Sequence, residues 1–236
     1  MSDILLVHGS CHGAWAWRDL VPELEALGHD PRAIDLPGAG ADQTSLETIT
    51  LDSYVDAICD ALGSETVLVG HSMAGFPITA AAQRVPDRIK RLIYLCAYMP
   101  APGKSLVDMR REAPRQPLLH AIERSADGLS FRTLPDQAAG VFYNDCSADQ
   151  VAYAVPRLRP QPIAPQATPL ADMDRATSLP RSYIRCTRDN TIPPEHQALM
   201  VADWPRADVH DLNSGHSPFL SAPARLAALI DRLITG

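Results

Sequence analysis

Short, wholly apolar runs alternate along the first part of the chain with longer stretches in which apolar residues recur every third or fourth position. That alternation is the rhythm of strands and helices in a parallel sheet covered on both faces. Ile4-Leu5-Leu6-Val7 predicts a buried first strand ending at His8-Gly9. Trp15, Leu20, Leu24 and Leu27 keep helical spacing up to Gly28, a C-terminal stop. Further strands are expected over residues 31–36, 65–69 and 91–97, and a helix over 51–62. An alanine-rich helix follows Gly70-His71-Ser72-Met73-Ala74-Gly75 and runs to about Arg84.

From residue 99 to 179 the rhythm breaks into a segment rich in Pro, Arg and Ala, with Pro156, Pro160, Pro162, Pro165 and Pro169 near its end. Roughly 80 residues exceed what a bare loop in a compact domain spans, so short helices are expected inside it, near 118–125 and 148–155. The pattern then resumes: a strand over 181–186, a helix over 195–204, a strand over 208–212 and an amphipathic helix over 223–234. The expectation is an α/β fold, a mostly parallel sheet of about six strands flanked by helices, with residues 1–98 and 180–236 as core and 99–179 as an inserted helical cap.

Composition narrows the function. With 236 residues, 46% of them hydrophobic, the chain can bury a full core as one domain. A net charge of −7 speaks against nucleic acid and anionic membranes as partners, since both are held by clustered cations. No run approaches the ~20 apolar residues of a membrane span, and the N-terminus lacks the pattern of a signal peptide. Cys11, Cys59, Cys96, Cys146 and Cys186 are scattered, without a CxxC pair, which fits neither a disulfide scaffold nor a zinc ribbon. A reducing, cytoplasmic location is expected, with no metal.

Ser72 stands where a strand hands over to a helix, the position of a nucleophile elbow. The tight turn needs small neighbours two residues either side; Gly70 meets this, and Ala74 departs mildly from G-x-S-x-G. A serine nucleophile needs a base and a group to orient it. Asp189, just past the strand ending at Cys186, and His216, between the last strand and last helix, supply them in the order Ser, Asp, His. Asp108, Asp145 and Asp211 are the competing acids, whereas His8, His12 and His71 come too early to be the base. Backbone N–H groups of Met73 and Ser10 are the candidate oxyanion donors. The Gly-rich loop after the first strand matches neither dinucleotide nor P-loop patterns.

The chain also resembles the plant methylesterase and hydroxynitrile lyase branch of the α/β-hydrolases. The resembling stretches are residues 8–17, reading HGSCHGAWAW, and Gly70 to Gly75, with Tyr143-Asn144-Asp145-Cys146-Ser147, Leu158-Arg159-Pro160, residues 183–189, Ile192-Pro193 and Gly215-His216. The resemblance implies an α/β-hydrolase fold, a Ser72, Asp189, His216 triad under a small cap, no cofactor, an apolar pocket for a small ester, and compatibility with a homodimer. Lyase members carry a threonine after the first-loop histidine and a lysine after the catalytic histidine. Here Gly9 and Ser217 stand at those positions, which favours ester hydrolysis over cyanohydrin cleavage. Gly9, Phe131, Phe142 and Tyr143, with Met109, are candidates for the substrate pocket. Arg110, Arg111 and Arg115 read as a solvated cap face rather than an anion clamp. The leading function is therefore a cofactor-free serine hydrolase of a small, largely apolar carboxylic ester. The competing ones are carbon–carbon cleavage on the same triad and a binding protein that kept the fold.

Overall fold

The computed structural model describes all residues, 1–236. Its strands are β1 (Asp3–Val7), β2 (Asp30–Ile34), β3 (Thr66–His71), β4 (Ile89–Leu95), β5 (Ile122–Arg124), β6 (Ser130–Thr133), β7 (Gln161–Pro162), β8 (Arg181–Cys186) and β9 (Val209–Leu212). Six of them form one sheet in the order β2-β1-β3-β4-β8-β9. Every pair in that sheet is parallel, with Val7 beside Gly70, Gly70 beside Tyr94 and Cys186 beside Leu212. The order reverses at β1/β3, where a doubly wound sheet opens its ligand crevice at the strand carboxyl ends.

The period of two along each strand divides the interior. Leu5, Val7 and Leu68 belong to a cluster on one face, and Ile4, Leu6, Val67 and Val69 to a cluster on the other. Both faces are covered, which is why Ile4 to Val7 are all fully buried and read as a continuous apolar run. Helices Leu51–Ala61 and Gly75–Arg84 cover the first face, with Tyr54, Val55, Ile58 and Ile78 in its core. Trp17, Leu20 and Leu24 join the C-terminal helix Pro223–Thr235 on the second. No helix is long and apolar enough to cross a membrane.

Between β4 and β8 lies a mixed segment rather than a purely helical one. Its longer helices, Leu106–Glu112, Pro135–Phe142 and Ala148–Ala154, and two single-turn ones, Ala164–Ala167 and Asp174–Thr177, accompany a three-stranded sheet in the order β5-β6-β7. The helix expected near 118–125 is instead a 3-10 turn, Pro117–Ala121, running into β5. Asp127-Gly128 decides that outcome: Gly128 takes φ 74° and Asp127 Oδ1 accepts the Leu129 N–H at 2.9 Å, turning the chain back antiparallel onto β5. The helix expected near 148–155 does form, started by Ser147 and Gln150, whose side chains bond each other's backbone N–H groups.

Candidate active site

Ser72 begins the turn between β3 and the helix Gly75–Arg84, and its φ of 55° is left-handed, a conformation non-glycine residues rarely hold. Close packing on either side enforces the turn. A Cβ on Gly70 would come within 2.7 Å of Ile78 Cδ1, and one on Gly75 would collide with the Tyr98 carbonyl. The strictly required glycine therefore lies at 75, and Ala74, fully buried, is small enough for its own position. The Tyr98 N–H donates to the Ser72 carbonyl at 3.0 Å, tying the elbow to the end of β4.

Asp189 and His216 meet at the carboxyl ends of β8 and β9. His216 Nδ1 lies 2.8 Å from Asp189 Oδ2, and both side chains are essentially sealed from solvent. Asp189 Oδ1 accepts the backbone N–H groups of Thr191 at 2.6 Å and Ile192 at 2.9 Å, while Gln197 Nε2 donates to Oδ2 at 2.9 Å. So surrounded, the carboxylate is fully engaged as an acceptor, and the N–H of His216 sits on Nδ1, leaving Nε2 with its lone pair. No hydrogen bond joins Ser72 Oγ to His216; such contacts often close only around substrate. The other acids are committed elsewhere: Asp108 to Ser105, Asp211 to Arg185, and Asp145 Oδ2 to the Gly215 N–H at 2.7 Å.

Three further histidines pack beneath the loops with fixed tautomers. His8 Nδ1–H donates to the Gly9 carbonyl at 2.8 Å and its Nε2 accepts the Leu36 N–H at 3.1 Å. His12 Nδ1–H donates to the Ser10 carbonyl at 2.7 Å and its Nε2 accepts from the Tyr143 hydroxyl at 2.8 Å. His71 Nε2–H donates to the His216 carbonyl at 2.8 Å, so it fixes the backbone of the candidate base. Burial pushes His12 down to about 3 and His71 well below the ordinary histidine range.

The remaining predicted residues divide. Gly9 lies against the nucleophile: a Cβ there would sit 2.8 Å from Ser72 Cβ and 2.7 Å from His71 Nδ1, so position 9 has no room for a threonine without rearrangement. Ser217 is fully buried with its Oγ unpartnered, and brings no cation. Phe142 stacks on the His216 ring at 5.8 Å and Tyr143 holds His12, so both pack under the site. Phe131 instead lines a cavity of about 410 Å³ in the inserted segment, whose walls include Ile122, Ile163 and Gln166. Met109 is buried in the core that also holds Met73 and Tyr98. His71, Cys96 and His216 bring one potential metal ligand each within 4.8 Å. However, His216 Nδ1 is taken by Asp189, and burial holds the Cys96 thiol well above its ordinary value, so a thiolate donor is not on offer.

Sequence reasoning missed the side chains that hold the loops. Gln166 Nε2 donates to Ser10 Oγ at 2.9 Å, and Gln161 Oε1 accepts the Cys11 N–H at 3.0 Å. Gln197 spans from Asp189 to the Cys186 N–H at 2.9 Å. A glutamine has no spacing signature, so nothing along the chain marks these.

The parallel sheet, the strained serine at the end of β3 and the buried carboxylate–imidazole pair are those of an α/β-hydrolase, and the chain belongs to that family, whose model, described as Alpha/beta hydrolase family, matches residues 4–229. Within it, Methylesterase 7 of Arabidopsis thaliana is 31% identical over 245 residues, covering 96% of this chain and 94% of that protein. Among solved structures, a pyrethroid hydrolase from Sphingobium faniae superposes with a TM-score of 0.87 at 28% identity over 99% of this chain and 97% of that one. A methylesterase from Arabidopsis gives 0.86 at 28% identity over 100% and 99%. These relatives put the chain in the esterase and methylesterase branch, among the carboxylic ester hydrolases.

Proposed function

We propose that the chain hydrolyses a small carboxylic ester through an acyl-Ser72 intermediate, with His216 as general base, Asp189 as its orienter and the backbone N–H groups of Ser10 and Met73 as oxyanion donors. The observation that carries the reading is the His216–Asp189 contact at 2.8 Å, buried beside a serine at φ 55°. With Nδ1–H held by the carboxylate, Nε2 takes the Ser72 proton as Oγ attacks the acyl carbon, then returns it to the departing alkoxide. Water repeats the sequence against the acyl-enzyme, and the carboxylic acid leaves. Two N–H groups aimed at the oxyanion typically contribute about 2.7–4 kcal/mol each, and the helix following Ser72 adds its positive end.

Cyanohydrin cleavage on the same triad lacks support here. It needs a hydroxyl near the substrate alcohol and a cation for the leaving cyanide, where Gly9 has no space for a side chain and Ser217 no charge. The deciding experiment combines a fluorophosphonate label with turnover of p-nitrophenyl acetate, small methyl esters and mandelonitrile. Ser72 should be labelled, and Ser72→Ala should lose labelling and ester turnover, leaving at most the roughly 10³–10⁴-fold catalysis over water that binding and oxyanion donors retain. Unchanged turnover in that variant refutes the nucleophile, and Ser72-dependent cyanide release outpacing every ester refutes the reaction type.

A further inference from the structure

The cavity of about 410 Å³ beside Phe131 has a lining of one sign: Arg110, Arg111 and Arg124 border it, with Gln166, and no acidic side chain does. This is unusual in a chain whose Asp and Glu outnumber its Lys and Arg by 28 to 21. Several arginines elsewhere do find carboxylates: Arg115 at 2.6 Å from Glu195, Arg132 at 2.6 Å from Glu123, Arg185 at 2.7 Å from Asp211. The Arg110 side chain makes no ion pair and no hydrogen bond, and its Nε is sealed from solvent without an acceptor. Arg124 meets only the Gly128 carbonyl at 3.1 Å, and Arg111 lies 3.6 Å from Asp108 with its side chain mostly exposed. Burial draws Arg110 below the ordinary guanidinium range, whereas carboxylate partners raise Arg115 and Arg185 above it. A half-buried guanidinium whose Nε is sealed without an acceptor gains from an anion that supplies one.

The same cavity abuts the catalytic loops. Gln166, in its wall, donates to Ser10 Oγ at 2.9 Å, and Ser10 follows Gly9, which lies against Ser72. Burial pushes the Tyr98 phenol up, with the Arg110 charge opposing that shift from nearby, and the Tyr98 N–H holds the Ser72 carbonyl at 3.0 Å. Val107, Leu119, Ile122 and Ile163 supply the apolar part of the cavity's lining.

We propose that this cavity is a substrate subsite for the carboxylate of an anionic ester, apolar around the scissile bond and gripped at its far end by Arg110 and Arg124. The inference rests on the Ser72 reading of hydrolysis. Water's oxygen joins the acyl carbon, the ester C–O bond breaks, the alkoxide takes a proton, and the remote carboxylate passes through unchanged. Monoesters of linear dicarboxylic acids put that carboxylate on the acyl side; acetyl esters of ω-hydroxy acids put it on the alcohol side.

The test measures kcat/KM for both series, from succinate-length to sebacate-length chains, against uncharged esters of equal length. At least one anionic series should exceed its neutral counterpart by about tenfold or more at some length, the equivalent of about 1.4 kcal/mol. Arg110→Gln and Arg124→Gln should each bring that ratio toward one, Arg110→Lys should keep part of it, and Arg115→Gln, paired to Glu195 outside the cavity, should leave the ratio unaltered. Calorimetry of suberate and octanoate on the Ser72→Ala protein gives an arm independent of turnover: suberate should bind more tightly, and Arg110→Gln should erase the difference. Ester turnover with no anionic preference at any length overturns the subsite while leaving the hydrolase reading intact. Arg110-dependent suberate binding with no ester turned over does the reverse. Loss of both refutes both.

Discussion

Three non-glycine residues hold positive φ, Cys11 at 65°, Ser72 at 55° and Cys96 at 34°, and they follow β1, β3 and β4 at the same end of the sheet. Each costs of order 1–3 kcal/mol, and such strain persists where packing over-determines it. At Ser72 the determining contact is the Tyr98 carbonyl against Gly75. Gly75→Ala should therefore destabilise the fold by more than about 2 kcal/mol and abolish turnover, whereas Ala74→Gly should cost only about 0.5–1 kcal/mol. Urea unfolding of the two variants checks this, and equal midpoints would show that the Tyr98 contact is not what shapes the elbow. Ser72 was legible because it closes the apolar run of β3, and Asp189 and His216 because each comes within a few residues of the end of a late strand, β8 or β9, and strand ends converge on one crevice in this architecture. The glutamines were not: Gln161 reaches Cys11 across 150 positions and Gln166 reaches Ser10 across 156, and the worth of a buried amide lies wholly in partners that folding brings to it.

Elements differ in how plainly they announce themselves. The core strands and the helices between them follow from buried runs and helical spacing, so their order could be read directly. The β5-β6 hairpin could not, because Ile122–Arg124 and Ser130–Thr133 are short and mostly polar, and the Asp127-Gly128 turn was the one signal pointing to it. That small sheet has a consequence for chemistry. Its strand β7 carries Gln161, and the stretch just after it carries Gln166, so the inserted segment clamps the first loop at Ser10 and Cys11. Gln166→Leu keeps the volume and removes the donor. It should lower kcat by about ten- to a hundredfold with little change in KM, since one misaimed oxyanion donor costs up to about 10²–10³ in kcat. Ser10→Ala removes the hydroxyl that Gln166 holds and should give a similar kcat. Combining the two should add little, and additive losses would show that Gln166 acts by some other route.

At the scale of the whole molecule, burying His8, His12 and His71 under one set of loops couples the site to acid stability. All three are nearly or fully inaccessible and all three are held below the ordinary histidine range by that burial. In the unfolded chain each takes a proton near the ordinary value of about 6.5, but in the folded protein His12 stays neutral down to about 3 and His71 likewise resists. The unfolded state therefore binds more protons below about pH 6.5, and linkage makes stability fall as pH falls through that value, continuing until the folded histidines themselves titrate. At full slope a histidine contributes about 1.36 kcal/mol per pH unit, so His12 should remove about 2 kcal/mol between pH 7 and pH 5, and His71 and His8 act in the same direction. Most carboxylates titrate lower, which leaves that window to the histidines. Urea unfolding at pH 7, 6 and 5 should show midpoints falling in step. His12→Gln, whatever its own stability, should show a pH slope shallower by about one proton, because the residue that refuses the proton is gone. A stability flat from pH 7 to 5 would mean that water reaches these rings readily, and that the packing of His12 between Ser10 and Tyr143 is looser than its two hydrogen bonds indicate.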